Sequence, residues 1–507
     1  MNQAINPVIP LKQLLHPYLQ ADQIQKIETL TMTGMSLDSR KITQGMLFVA
    51  LNGSQTHGIT FAEKAAQLGA IAVIWETSAD VILPNVNIPL IAIEQLSEKL
   101  GDIADQYYSH PSRALNMVGI TGTDGKTSVS HFLAQAINVK QVGFCQVIGT
   151  LGMGSPDNLA TATHTTPDVI TVHQVLQQQK ENQAEMVAME VSSHALDQGR
   201  VNAVRFNTAV LTNLTRDHLD YHHTVAAYAA AKEKLFYWQG LQHIVVNIDD
   251  AMGLRLAKAQ AASGLRVIAY GLNEPKSLPK GIELILARKA QFDHRGIVAN
   301  IVTSIGESTL TAPILGRFNL SNLLAVLGVL IAMNYSLKRA LAQINQVRTV
   351  AGRMQRISTE DDQRLVVVDY AHTPGGLEQA LLASREHTQQ KLICVFGCGG
   401  DRDRGKRPIM AQKAEVLADR IIVTDDNPRY EDTAEIFKDI KQGFKKLNKV
   451  VFEHNRYKAI RLAISEAQAG DMVLIAGKGH ETVQIIKGQA IAFDDRCIAK
   501  AALQEMF

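Results

Sequence analysis

An α/β fold with largely parallel sheets is what the sequence predicts. Two observations carry that expectation: short apolar runs recur between amphipathic stretches, and one of them leads through a glycine-rich turn into a helical pattern. They include Met186–Val191, Thr208–Leu211, Ile244–Ile248, Leu365–Val368, Leu392–Phe396, Ile421–Val423 and Met472–Ala476, and the strand that leads into the glycine-rich turn is Leu115–Thr121. The chain has 507 residues, 46% of them apolar, enough for about three cored domains. The polar stretch Tyr107-Tyr108-Ser109-His110-Pro111-Ser112 marks a first boundary, and Gln346–Thr349, which follows a long apolar helix, marks a second. The expected domains are residues 1–110, 111–347 and 348–507.

Several function classes are excluded early. Lys+Arg 51 against Asp+Glu 49 leaves a net charge of +2, and aromatics are 5% of the chain, so no nucleic-acid partner is expected. The apolar run Leu323–Met333 is far short of the roughly 20 residues that cross a bilayer. Pro7, Pro10 and Pro17 interrupt the region where an export signal would need a continuous apolar stretch. Cys145, Cys394, Cys398 and Cys497 are too few for a disulfide framework, and Cys394 and Cys398 lack the spacing of a zinc or redox pair. Four reduced thiols in a cytoplasmic protein are expected.

The element that carries chemistry begins with the strand Leu115–Thr121. It runs into Gly122-Thr123-Asp124-Gly125-Lys126-Thr127-Ser128, after which Val129, Phe132, Leu133 and Ile137 line one face of a helix. Such a turn aims backbone N–H groups from the positive end of a helix, where polyphosphate binds. Lys126 would reach the terminal phosphates and Thr127 would hold Mg²⁺. Ile120 stands where the usual GxxxxGK[ST] pattern has its first glycine, so the loop is a variant of it. A GTPase is disfavoured because Asn448-Lys449-Val450-Val451 lacks the acid of a guanine reader. A dinucleotide fold is disfavoured because Arg402 breaks the glycine pattern begun at Gly397-Cys398-Gly399-Gly400.

Nucleotide-dependent transfer calls for hard oxygen ligands at strand ends near the loop. Glu190 ends one apolar strand, and Thr208–Leu211 runs into Thr212-Asn213-Leu214-Thr215-Arg216-Asp217-His218-Leu219-Asp220-Tyr221-His222. Together with the phosphate loop, EVSSH, TNLTRDHLDYH, LGRFNLSN, AGRMQ, DYAHTP, GCGGDRDRGKRP, DNPR and GKGHE resemble the Mur ligases, from Leu37-Asp38-Ser39-Arg40 to Asp495-Arg496.

The resemblance implies a three-domain protein. Its centre is a P-loop ATPase-like parallel sheet, its C-terminal domain is Rossmann-like and binds the amino acid, and its smaller α/β N-terminal domain binds UDP. It implies a cytoplasmic, ATP-dependent amide ligase of peptidoglycan precursor synthesis. ATP phosphorylates the D-glutamate carboxylate of UDP-N-acetylmuramoyl-L-alanyl-D-glutamate, and the amine of meso-diaminopimelate displaces the phosphate. By resemblance Lys126, Glu190, His218 and Lys232 are catalytic; Thr127, Glu190, His218 and a carbamylated Lys232 bind Mg²⁺. Read alone, Lys232 is a solvated helix lysine with Lys234 as a competitor.

Gly122, Thr123, Asp124, Gly125, Lys126, Thr127, Ser128, Asn319, Arg353 and Asp369 are the implied ATP contacts. Asn319 and Asn322 read equally well as helix-start residues. Asp124 and Gln355 depart from what many relatives carry. The nucleotide-dipeptide falls to Leu37, Ser39, Ser54, Gln55, Thr56, His164, Thr165, Thr166, Ser192, Gln198 and Arg200. The diaminopimelate residues are Arg402, Asp426, Asn427, Pro428, Arg429, Gly477 and Glu481, with Arg429 for the far carboxylate and Asp426 and Asn427 for the ammonium. Lysine lacks that carboxylate, so a buried Arg429 would discriminate against it. Alone, Asp426-Asn427-Pro428-Arg429 reads as a turn.

A lysine-adding Mur ligase, a folylpolyglutamate synthase-like ligase and an ATP-regulated binding protein without chemistry are the competing readings. A monomer is expected, closing at a hinge near residues 346–349.

Overall fold

A computed structural model describes residues 7–53, 56–78, 81–139, 143–162, 164–359 and 362–505. The chain divides into two compact units. The first comprises residues 1–130, 140–245 and 259–267, and the second residues 131–139, 246–258 and 268–507.

In the first unit a two-residue antiparallel pair, β1 (Ile9–Pro10) with β2 (Thr31–Met32), precedes a four-stranded parallel sheet. That sheet takes its strands in chain order: β3 (Gly34–Ser36), β4 (Met46–Ala50), β5 (Ala72–Glu76) and β6 (Leu90–Ile93). Leu47, Val49, Ile74, Ile91 and Ile93 from its strands pack with Leu100, Ile103 and Tyr107 of the helix Leu96–Tyr107 in one core.

Strands of the next sheet run in the order β10-β9-β8-β11-β7-β12-β13, where β7 is Asn116–Thr121, β8 Cys145–Gly149, β9 Gly152–Ser155, β10 Asn158–Ala160, β11 Met186–Glu190, β12 Thr208–Leu211 and β13 His243–Asn247. β8, β11, β7 and β12 pair in parallel. Their sequences are mostly apolar because both faces are covered, as in Met186–Glu190, which is buried at every position. Register sets Glu190 beside Ile120 and Leu211 beside Thr121. The phosphate loop, the turn after Glu190 and the Thr212–Asn213 turn therefore leave one sheet edge together.

The second unit holds the end of β14 (Arg266–Gly271), from Ile268 on, and β15 (Glu283–Asp293), β16 (Gly296–Thr303) and β17 (Gly306–Ala312), with β16 antiparallel to both β15 and β17. The helix Arg317–Ala332 follows. From Asn322 to Ala332 it is buried at every position, which is why its sequence shows no polar face there. A six-stranded sheet then takes the order β18-β19-β23-β20-β21-β22, from Gln355–Arg356, Leu365–Asp369, Met472–Ala476, Leu392–Phe396, Arg420–Val423 and Val450–Phe452. All its pairs but β18–β19 are parallel. Asp369 lies beside Ala476 and Phe396 beside Val423, so four loops emerge from the same carboxyl edge. A hairpin, β24 (Val483–Ile486) with β25 (Gln489–Ala492), supplies the last two strands.

β12, β20 and β23 coincide with their apolar runs, and β13 begins and ends one residue earlier than Ile244–Ile248. Among the described residues no helix is long and apolar enough to cross a membrane. Cys145, Cys394 and Cys398 are buried, Cys497 is exposed, and the four form no disulfide.

Candidate active site

The phosphate loop turns because Gly122 and Gly125 take φ of +148° and +85°. A side chain on Gly122 would put Cβ 1.9 Å from Thr212 Oγ1. Lys126 starts the helix Lys126–Asn138 and donates to the carbonyls of Gly122 and Thr123, each at 2.8 Å. Lys232 donates to the same Gly122 carbonyl at 2.8 Å. It is 1% exposed, so it is not the solvated lysine that its local sequence suggests. Burial, and next the charge of Lys126, push its ammonium down to about 6.

Glu190 is fully buried and accepts from Thr127 Oγ1 at 2.9 Å, from the Thr150 N–H at 3.0 Å and from Thr150 Oγ1 at 3.1 Å. Thr150 went unnoticed in the sequence. The available signal was its place just beyond β8, on the edge that β11 shares. Its hydroxyl also meets Thr165 Oγ1 at 3.0 Å. Thr166, wholly buried, donates to the Glu190 carbonyl at 2.8 Å and accepts from the Ser192 N–H at 3.1 Å. Arg200 reaches the Thr166 carbonyl at 2.9 Å and grips Gln198 Oε1 with two nitrogens at 2.9 and 2.6 Å. The structure thus joins Thr127, Thr165, Thr166, Glu190, Ser192, Gln198 and Arg200 in one network.

His218 sits at φ +52°, half-exposed, with Nε2 3.5 Å from Asp217 Oδ2 and its ring 4.8 Å from that of His194. Among the described residues no three His, Cys, Asp or Glu side chains gather as a metal cage. What the loop offers instead is a hydroxyl and a carboxylate in contact, both hard oxygen donors of the kind Mg²⁺ takes. His164 is exposed. In the N-terminal sheet's loops, Ser39 is buried, Leu37 half-buried and Thr56 exposed, while Ser54 and Gln55 lie outside the described residues. Asp38 is paired with Arg40 at 2.8 Å, which brings its carboxyl down to about 2.

The other implied nucleotide residues belong to the second unit. Asn319 does not cap its helix: Gly316 holds that position, and Asn319 donates to the Leu315 carbonyl at 2.8 Å and accepts from Asn322 at 3.1 Å. Arg353 lies over the Tyr370 ring at 5.0 Å with its buried Nε unpartnered. Asp369 accepts the N–H groups of Met354 and Ala371 at 2.7 and 2.8 Å. Burial raises its carboxyl, with Arg353 opposing.

The residues implied for the acceptor, Arg402 apart, converge at the carboxyl edge of the six-stranded sheet. Arg429, at φ +56°, donates to the Gly400 carbonyl at 2.8 Å, and its backbone bridges Ile486. The motif is therefore pinned to the hairpin rather than being a free turn. Asp426 Oδ2 is buried without a partner and would lie 2.6 Å from a Cβ at Gly477, so only glycine fits there. Asn427 corrects one expectation. Its Oδ1 already accepts from Lys478 Nζ and from the Ile485 N–H, both at 3.0 Å. Both neighbours can only donate, which fixes the amide's orientation and fills the oxygen. The Asn427 side chain can thus offer only donors beyond these contacts. Arg402 is exposed, its Cγ 3.9 Å from where a Cβ on Gly399 would lie, and Pro428 is buried.

Three family models match in succession: the Mur ligase family catalytic domain over residues 31–108, the Mur ligase middle domain over 120–330 and the Mur ligase glutamate ligase domain over 352–479. A relative from Ectopseudomonas mendocina (strain ymp), named UDP-N-acetylmuramoyl-L-alanyl-D-glutamate–2,6-diaminopimelate ligase, is 48% identical over 92% of this chain and 94% of its own. The chain belongs to the Mur ligase family. A relative of the same name from Alkalilimnicola ehrlichii (strain ATCC BAA-1101 / DSM 17681 / MLHE-1) is 44% identical over 98% of this Mur ligase and 99% of itself. A solved structure of a protein with that name superposes with a TM-score of 0.73 at 36% identity, covering 99% of each chain. The expected three-domain α/β architecture is that of these Mur ligases.

Proposed function

We propose that this Mur ligase is an ATP-dependent amide ligase that adds meso-diaminopimelate to the D-glutamate of UDP-N-acetylmuramoyl-L-alanyl-D-glutamate, in the cytoplasm and as a monomer. The observation that carries the acceptor is Arg429, held beside Asp426, Asn427 and Glu481 at the carboxyl edge of one sheet. The naming of relatives at 48% and 44% identity supports the same reading.

ATP's terminal phosphoryl group passes to the D-glutamate carboxylate, giving an acyl phosphate and ADP. The amine of diaminopimelate then attacks the acyl carbon, loses a proton and releases phosphate. Lys126 and the N–H groups at the start of its helix neutralise charge on the moving phosphoryl group. Thr127 and Glu190 would hold Mg²⁺, together with His218 and a carbamate on Lys232, and the ion supplies further charge neutralisation. Lys232 supports that role because a buried amine pushed down to about 6 is neutral at pH 7, the form that adds CO₂. Thr165, Thr166, Ser192 and Gln198 line the dipeptide's place, and Arg200 pairs a substrate carboxylate. Arg353 takes phosphate and Asp369 the ribose.

Phosphate release by the purified protein with ATP, Mg²⁺ and the nucleotide-dipeptide tests the proposal, comparing meso-diaminopimelate, L-lysine and no amino acid. Release and tripeptide product with diaminopimelate alone is expected. Product with lysine instead would overturn the acceptor assignment, and no turnover with either would overturn the ligase.

A further inference from the structure

Lys478 belongs to none of the groups of residues assigned above. It lies between Gly477 and Gly479, at φ of +121° and +54°, just beyond β23. A Cβ at Gly479 would come within 2.6 Å of Tyr370 Cβ, so the chain can pass there only as glycine. The stem of Lys478 is 0% exposed. Its three N–H donors are all used: on Asn427 Oδ1 at 3.0 Å, Glu481 Oε2 at 2.9 Å and the Val483 carbonyl at 2.6 Å. Asn427 Nδ2 in turn donates to the same Glu481 oxygen at 2.9 Å.

A buried ammonium is costly unless paired and fully bonded, and here one carboxylate and two dipolar oxygens surround it. The consequence reaches past stability. An amide side chain has two orientations that differ little in shape and are opposite in polarity. With the ammonium in place, only the orientation with oxygen toward Lys478 is satisfied. Without it, Asn427 keeps a single oxygen contact, from the Ile485 N–H, and Glu481 loses its countercharge.

We propose that Lys478 is a positioning residue for the incoming amino acid. It fixes Asn427 with its donor face outward and holds one oxygen of Glu481, so that the pocket's carboxylate-binding and ammonium-binding sides stay distinct. This rests on the reading that the pocket takes diaminopimelate.

The test is steady-state kinetics on Lys478→Met, Lys478→Arg, Asn427→Ala and the double variant Lys478→Met/Asn427→Ala. Lys478→Met is expected to raise KM for diaminopimelate about tenfold or more while KM for ATP and for the nucleotide-dipeptide stays within about twofold. Lys478→Arg, which can still donate to both partners, should recover part of that loss. The double variant should be less impaired than the product of the two single effects, because the lysine acts in part through the amide and in part through Glu481. An unchanged KM for diaminopimelate in folded Lys478→Met, or effects that simply multiply in the double variant, would overturn the proposal. Lys478→Gln replaces Lys478→Met if the latter does not fold. Should the wild-type enzyme take L-lysine rather than diaminopimelate, the acceptor assignment fails, and the same comparison made with L-lysine still decides the role of Lys478.

Discussion

Arg429 and Asn427 stand two residues apart and were open to sequence reasoning to different degrees. An arginine after Asp-Asn-Pro is visible in the chain, and so is its fitness for a carboxylate. Which face an asparagine turns outward is not, because that depends on a lysine 51 residues away. Truncating Arg429 removes the guanidinium while leaving Asp426 and Glu481, so Arg429→Ala is expected to raise KM for diaminopimelate about a hundredfold, with little change in KM for ATP. Substrate titrations of each in turn would check this. Glu190 was legible as the polar end of an apolar strand, whereas Thr150, which holds both of its oxygens, was not. A threonine after a strand is too common to single out until the sheet order puts β8 beside β11.

At the scale of elements, the phosphate loop was read almost whole, because strand, glycines, lysine and helix are contiguous. Gly122→Ala tests the loop's geometry: the added Cβ meets Thr212 Oγ1 at 1.9 Å on a backbone at φ +148°. Loss of ATP binding with the rest of the fold intact is expected, and calorimetric titration with ADP would show it. The helix Val169–Glu181 gives a stability counterpart. Asp168 caps it by accepting the Thr171 N–H at 3.0 Å. Asp168→Ala should cost about 1 kcal/mol, read as a lowered Tm without loss of substrate binding. Lys232 shows where local reading fails: alone it reads as a solvated lysine of the helix Val225–Glu233, yet packing buries it against the Gly122 carbonyl of the phosphate loop.

For the molecule as a whole, several buried histidines couple stability to pH. His131 is held neutral: burial first, then the charge of Arg353, pushes its imidazole down to about 4. An unfolded imidazole titrates near ~6.5 and takes up a proton that the folded one refuses. The stability gained from the neutral form is complete above that value and is lost as pH falls toward about 4. The Tm of wild type should drop over this window more steeply than that of His131→Leu, in scanning calorimetry at stepped pH.

Contiguous features were settled by the sequence alone: the α/β class, the phosphate loop, the apolar strands of parallel sheets and the motifs that mark a Mur ligase. Each depends on neighbours along the chain, where backbone geometry and hydrophobic period act directly. Tertiary structure alone decided the burial of Lys232, the grip of Thr150 on Glu190 and the direction of the Asn427 amide. Those depend on strand order and on donors arriving from distant loops, and a hydrogen bond between residues far apart in sequence leaves no period or spacing to read.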